Sequence, residues 1–311
     1  MKKFQFASFA ALSVLALSAQ AGQVITTAGG ASLGIQDMGA LGFGGVGIAL
    51  AGVGDGITPG CLCEGWGASL GGTAGWSANA NGGNVNVGLV SFGSTASSAT
   101  SIVNVGGASG LQVKQEYGMS ASSALVKDHV TLTNNSGASA VVRYSRSMDW
   151  DIPPTEFNEY VTIGGVGATK LIFSNDNGFA TPNPLSNPGA LAGGTTNVNF
   201  VDSGPTDHGA YFTFDFGSVA AGESVSFDIF YGAAGSETAA FAALGAVGAE
   251  VYSLGQNSRT GLTDGTPDTF IFGFAGVGGT PVPAVPEPET YALMLAGLGI
   301  VGFMARRRRA A

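Results

Sequence analysis

The chain has 311 residues, of which 52 are glycine, and only 11% are charged, against about a quarter in ordinary globular proteins. Two of its 12 basic residues lie at the start and four at the end, so the stretch between holds six basic against nineteen acidic residues, a formal −13. That balance excludes a DNA- or RNA-binding role, because neutralising phosphates takes clustered Lys and Arg, and it suits an exported soluble body.

Lys2 and Lys3 precede an apolar run from Phe9 to Leu17 and the small-x-small triplet Ala19-Gln20-Ala21. This pattern predicts a secretory signal helix over 1–21, cleaved after Ala21. Gly22 to Gly60 is Gly-rich and weakly patterned, and reads as a loop or edge region. Its G-x-G-x-x-G at Gly42, Gly44 and Gly47 lacks a preceding strand and carries no dinucleotide reading. Cys61 and Cys63 are the only cysteines. In an oxidising compartment they predict a disulfide, with each other or with another chain, ahead of a metal site.

From Asn84 onward the period-2 signature of strands recurs. Val85, Val87 and Leu89 share a face, and Val126, Val130 and Leu132 alternate with Lys127, His129 and Thr131. Asn134-Asn135-Ser136-Gly137 then supplies a turn before Val142 and Tyr144, which predicts a hairpin with His129 on its solvated face. Further strands are expected at Tyr160–Ile163 and Thr169–Phe173. Three more carry Phe212, Phe214 and Phe216; Val225, Phe227, Ile229 and Tyr231; and Phe270, Phe272 and Phe274. One segment reads as a helix: Ser236 as N-cap, a stripe of Phe241, Leu244, Gly248 and Val251, and Gly255 as the stop. The expected fold is therefore mainly β, an antiparallel β-sandwich with one packed helix over 22–277. A Pro/Gly tether (278–288) leads to a C-terminal transmembrane helix and Arg cluster (289–311).

The tail reads Pro286-Glu287-Pro288, an apolar stretch from Tyr291 to Ala305, then Arg306, Arg307, Arg308 and Arg309. Fifteen residues of helix span about 22 Å, short of a hydrocarbon core of about 30 Å, and snorkelling arginines absorb the mismatch. The arginines hold their end in the cytoplasm, leaving the Pro-Glu-Pro triplet on the outer face of the inner membrane. This order and spacing closely resemble the PEP-CTERM sorting signal. The resemblance implies a Gram-negative host in which an exosortase, a membrane cysteine transpeptidase, cuts near Pro286 to Pro288 and passes the body to the surface. It also implies association with exopolysaccharide and biofilm matrix. "CLCEGWG", "RYSRSMDWDIPPTEF" and "DHGAYFTFDFG" resemble stretches of uncharacterised extracellular β-rich bacterial proteins, to which no activity is attached.

Asp149, Asp151, Glu156 and Glu159 form the densest acidic patch. The two aspartates point the same way from a strand, and Pro153-Pro154 turns the chain back toward them. Such oxygen donors suit calcium, though solvated strand ends explain them as well. Asn175-Asp176-Asn177-Gly178 has a similar look without a bidentate Glu. Paired carboxylates also allow a glycosidase, but Trp150 would face away from Asp149 and Asp151. His208 follows Asp207 and reads as a structural hydrogen-bonding group. No G-x-S-x-G elbow is present. The expected function is an exported, non-catalytic surface or exopolysaccharide-matrix protein with no cofactor beyond calcium. The alternatives are a calcium-dependent glycan-binding or adhesive module and, behind it, an extracellular hydrolase.

Overall fold

Three strands with a large apolar side chain at every second position organise the core. In the computed structural model, which describes residues 21–191, 195–259, 267–284 and 296–298, these are β15 (His208–Val219), β16 (Ser224–Ala234) and β18 (Thr269–Ala275). The other strands are β1 (Gly22–Thr26), β2 (Ala31–Gln36), β3 (Ile48–Leu50), β4 (Gly54–Asp55), β5 (Glu64–Leu70), β6 (Thr73–Ala78) and β7 (Val87–Thr95). They continue as β8 (Ser98–Val105), β9 (Leu111–Met119), β10 (Leu125–Asn134), β11 (Ala140–Trp150), β12 (Glu159–Gly164), β13 (Leu171–Asn175), β14 (Phe200–Thr206) and β17 (Val251–Gln256). All strand pairs are antiparallel. β1 to β4 form a four-stranded sheet in sequence order. A nine-stranded sheet runs β14-β12-β17-β18-β16-β10-β9-β8-β7, and a five-stranded one β13-β15-β11-β5-β6. The expectation of a mainly β, antiparallel body holds.

The five- and nine-stranded sheets meet through the rings that the alternation places on one side. Phe212 and Phe214 of β15 stand 5.3 and 4.7 Å, centroid to centroid, from Phe274 of β18. Tyr144 of β11 lies 5.0 Å from Phe227 of β16, edge to face. Each fully buried ring contributes about 1.5–3 kcal/mol by removal from water, so this aromatic seam holds the two sheets together.

The segment from Leu125 to Trp150 departs from the expected hairpin. β10 pairs with β9 and β16, whereas β11 pairs with β5 and β15, so the turn between them carries the chain from one sheet to the other. Asn134 causes this. Its buried side-chain Nδ2 donates to Ala138 O and Val219 O, both at 2.9 Å, and its Oδ1 accepts from Ser136 N. These bonds hold the turn across the core edge, and the two strands leave it facing each other instead of side by side.

The helix is shorter than its sequence pattern. α1 covers Glu237–Ala246, with Ser236 Oγ accepting from Ala239 N at 3.2 Å, and Val251, expected on its stripe, instead opens β17. Gly248 adopts φ 65°, a conformation that stops a helix, and the alternation beyond it then follows the sheet. α1 packs Ala240, Ala243 and Leu244 on Leu125, Phe230, Leu254 and Ile271, covering the back of the nine-stranded sheet. Ser236→Ala should cost about 1 kcal/mol of stability, read as a lowered urea midpoint. No change would mean that α1 is held by packing alone.

Gly22 to Gly60, expected as loop, holds the four-stranded sheet. Glycines dilute its alternation: a Cβ on Gly34 would run into the Val46 carbonyl, so β2 tolerates only glycine between Leu33 and Ile35. Gly42, Gly44 and Gly47 surround a single 3-10 turn at Phe43–Gly45 that precedes β3, not a strand-to-helix junction.

This N-terminal unit is tied to the core by polar bonds. The segment after β2 presents Met38 O to Trp66 Nε1 at 2.7 Å and Gly39 O to Tyr117 OH at 2.8 Å, while Leu41 N donates to Glu64 Oε2 at 2.7 Å. At the centre lies Arg146, fully buried, with Nε and Nη2 each 2.5 Å from Glu64 Oε1. Its Nη1 donates to Gln115 Oε1 at 3.1 Å, and the guanidinium lies 5.2 Å from the Tyr231 ring centroid.

Among the described residues no helix is long and apolar enough to cross a membrane. The signal helix over 1–21, apart from residue 21, lies outside the described residues. So do Pro286, Glu287, Pro288, Arg306 to Arg309 and, residues 296–298 aside, the expected transmembrane stretch.

Candidate cation-binding cluster

The acidic patch sits where three chain segments converge at one end of the sheets. The end of β11 is pinned by Asp149 N donating to Cys63 O at 2.9 Å and Asp151 N to Gly56 O at 2.8 Å. β15 runs antiparallel beside it, with Gly209 opposite Asp149 and His208 opposite Trp150. That register brings Asp207 alongside Asp151. The chain turns at Pro153-Pro154, and Glu159 opens β12 opposite Thr206. Carboxylate oxygens of Asp149, Asp151 and Asp207 all lie within 4.8 Å of one another.

Of the four expected residues, Asp149, Asp151 and Glu159 are buried here. Glu156 is half-buried on the turn, outside the group of three, close enough to repel Asp151. Asp207 completes the group of three, to which Glu159, like Glu156, does not belong. The sequence pattern hid Asp207 because 56 residues separate it from Asp151, and only strand register joins them.

Most carboxylate oxygens of the cluster lack donors and counter-charge. Asp149 Oδ1, both oxygens of Asp151, Glu159 Oε2 and Asp207 Oδ1 have no hydrogen-bond partner, and no ion pair among the described residues reaches them. Glu159 Oε1 accepts from His208 N at 3.0 Å. Asp55 nearby shows the contrast: its carboxylate accepts from Gly47, Ile57 and Thr58 N–H groups at 2.7 to 3.0 Å. Burial, then repulsion from Asp151, Asp207 and Glu159, pushes Asp149 up to about 9. Burial and the charges of Asp207, Glu156 and Asp55 push Asp151 up to about 7. Burial, with Asp207 and Asp151 adding to it, pushes Glu159 up to about 9 against the His208 N–H. Three buried acids at such values are a focus of unfavourable potential in the fold.

Cys61 and Cys63 are joined by a disulfide beside this cluster, with Cys61 Sγ 4.0 Å from Asp149 Oδ2. A disulfide sulfur has no proton to donate, so it gives Asp149 no hydrogen bond. The other candidates are placed elsewhere or engaged by protein groups, though the buried Nε2 of His208 has no hydrogen-bond partner. His208 is buried, with Nδ1 3.2 Å from Asp176 Oδ2, and Asp176 Oδ1 accepts from Leu191 N at 2.8 Å. Asn175 Oδ1 accepts from Asn177 N, so the Asn175–Gly178 turn is closed by protein donors. His129 is half-exposed, its Nδ1 2.6 Å from Asp228 Oδ1. Trp66 and Trp150 are fully buried, and Trp150 Nε1 donates to Ser253 Oγ at 3.0 Å, away from the acids. Neither indole can serve as a sugar platform.

Fold and cluster together define a mainly β, antiparallel body with a buried acidic focus at one end of its sheets. The C-terminal tail assigns how that body travels: residues 284–309 match the PEP-CTERM protein-sorting motif, so the chain carries the signal of an exported protein handled by an exosortase membrane enzyme. No curated protein matches the chain. The crystal structure of a candidate aldose 1-epimerase from Escherichia coli K12 aligns with 86% of this chain and 94% of its own at 10% identity. Its TM-score is 0.33, too low to assign a shared fold.

Proposed function

We propose that this is a non-catalytic surface or exopolysaccharide-matrix protein of a Gram-negative bacterium. The signal at 1–21 sends the chain through the secretory pathway, and the tail then holds it in the inner membrane until an exosortase cuts near Pro286 to Pro288. The observation that carries this reading is the sorting motif at 284–309, preceded by the proline-containing stretch Thr280–Ala284 that leads out of the last strand. Prolines there favour an extended tether accessible to a membrane-embedded enzyme. Two features support a role without turnover. The tryptophans beside the acids are turned into the core, and the histidine next to Asp207 is engaged with Asp176.

Intact mass of the mature protein from medium and cell surface tests the reading. A C-terminus near Pro286 to Pro288 is expected, and changing Arg306 to Arg309 to serine should leave the protein unprocessed. A mature mass that retains the arginines would make the tail a plain anchor and remove the matrix assignment.

A further inference from the structure

An acidic cluster becomes a binding site when something in it demands a ligand. Here that demand comes from Asp151, a side chain with no exposed surface whose two oxygens lack any donor and lie among the oxygens of Asp149 and Asp207. Asp149 Oδ1, on the same end of β11, and Glu159 Oε2, at the start of β12, repeat the observation. Leaving one buried polar atom unsatisfied is costly, and leaving an unpaired charge is costlier still. Four such atoms on the three aspartates, with a fifth on Glu159 beside them, call for a cation.

We propose that Asp149, Asp151, Asp207 and Glu159 hold a calcium ion that ties the end of β11 to the start of β12 and to the turn between β14 and β15. The spacing suits it: oxygens on opposite sides of one ion at calcium's bond length of about 2.4 Å are about 4.8 Å apart, and three of these carboxylates fall within that limit of one another. Ligand type favours a hard cation. All the free donors are oxygens, and both cysteines are consumed in the disulfide, so no thiolate is left for zinc. Four flexible carboxylates from three segments suit calcium, which accepts six to eight oxygens in variable geometry, better than magnesium, which demands a near-ideal octahedron and retains its waters. The ion is structural. It neutralises the focus of negative charge and joins segments that sequence keeps far apart. This inference stands independently of the sorting reading, since it concerns the body and not the tail.

The test uses the full chain, purified in mild detergent, stripped with a chelator and titrated with calcium chloride. Thermal unfolding should move up by about 5–10 °C at a hundredfold excess over Kd, with magnesium giving less. Terbium, a calcium surrogate excited through the protein's tryptophans, should luminesce and be displaced by calcium. Asp151→Asn should abolish the calcium-dependent rise in Tm. Asp207→Asn, at a partly exposed position, serves the same purpose should the first variant not fold. Calcium that leaves both Tm and terbium signal unchanged overturns the proposal, as does a variant that responds to calcium as the parent does.

Discussion

Glu64→Leu is expected to cost about 3–5 kcal/mol, a third or more of the stability of an ordinary domain, because it leaves a buried arginine without its counter-charge. Arg146 has no exposed surface, and among the described residues Glu64 Oε1 is the carboxylate oxygen bonded to it, 2.5 Å from both Nε and Nη2. The remaining contacts, Gln115 Oε1, Tyr144 OH and Gly39 O, are neutral and lie at 3.1 to 3.3 Å. Glu64 also accepts from Leu41 N, so its loss removes one of the bonds that tie the N-terminal segment to the core. The double variant Glu64→Leu/Arg146→Met should recover most of the loss, since removing both charges removes the desolvation cost that the pair exists to offset. Urea unfolding of the three variants measures this. A double variant no more stable than the single would show that packing, not charge, governs the site.

The second large effect is a pH dependence opposite to ordinary acid denaturation. In the chelated protein Asp149 and Glu159 hold their protons up to about 9 and Asp151 to about 7, whereas in the unfolded chain the same groups titrate near 4. The fold therefore binds more protons than the unfolded chain between those limits. The sign follows: the stabilising contribution is complete below about pH 4 and is lost as pH rises through 7 to 9. A single group that stays protonated in the fold and ionised in the unfolded chain from about pH 5 to 8 costs about 4 kcal/mol over that span. Denaturant unfolding in chelator should show stability falling across it, and saturating calcium should flatten the fall. A chelated protein that gains stability between pH 5 and 8 would mean the carboxylates are not held as buried, unpartnered acids.

How far the sequence led depends on whether the controlling contacts are local. Phe212, Phe214, Phe270, Phe272 and Phe274 could be placed on core faces because alternation is a property of consecutive residues, and they do meet across the core. Ser236 could be read as a cap for the same reason. The hairpin at Asn134 failed because turn residues specify a reversal without saying in which plane, and here the deciding acceptor, Val219 O, lies 85 residues away. The helix overran because Gly248 reads equally as a stripe member and a stop. In the N-terminal sheet the glycines that permit close backbone approach erase the very alternation that would have announced the strands. Three of the four acids were found from their spacing in "MDWDIPPTEFNEY", and the fourth emerged only from the pairing of β11 with β15.

The position of β18 has a consequence for how the molecule is made. Thr269–Ala275 is the last strand among the described residues, yet it lies in the interior of the nine-stranded sheet, between β17 and β16. Until it arrives, β14-β12-β17 and β16-β10-β9-β8-β7 are two separate ribbons, each with an open edge able to pair with any other strand. A chain delivered N-terminus first must therefore keep those edges apart through nearly its whole passage. The sheet can close only when the stretch just ahead of the sorting motif has emerged.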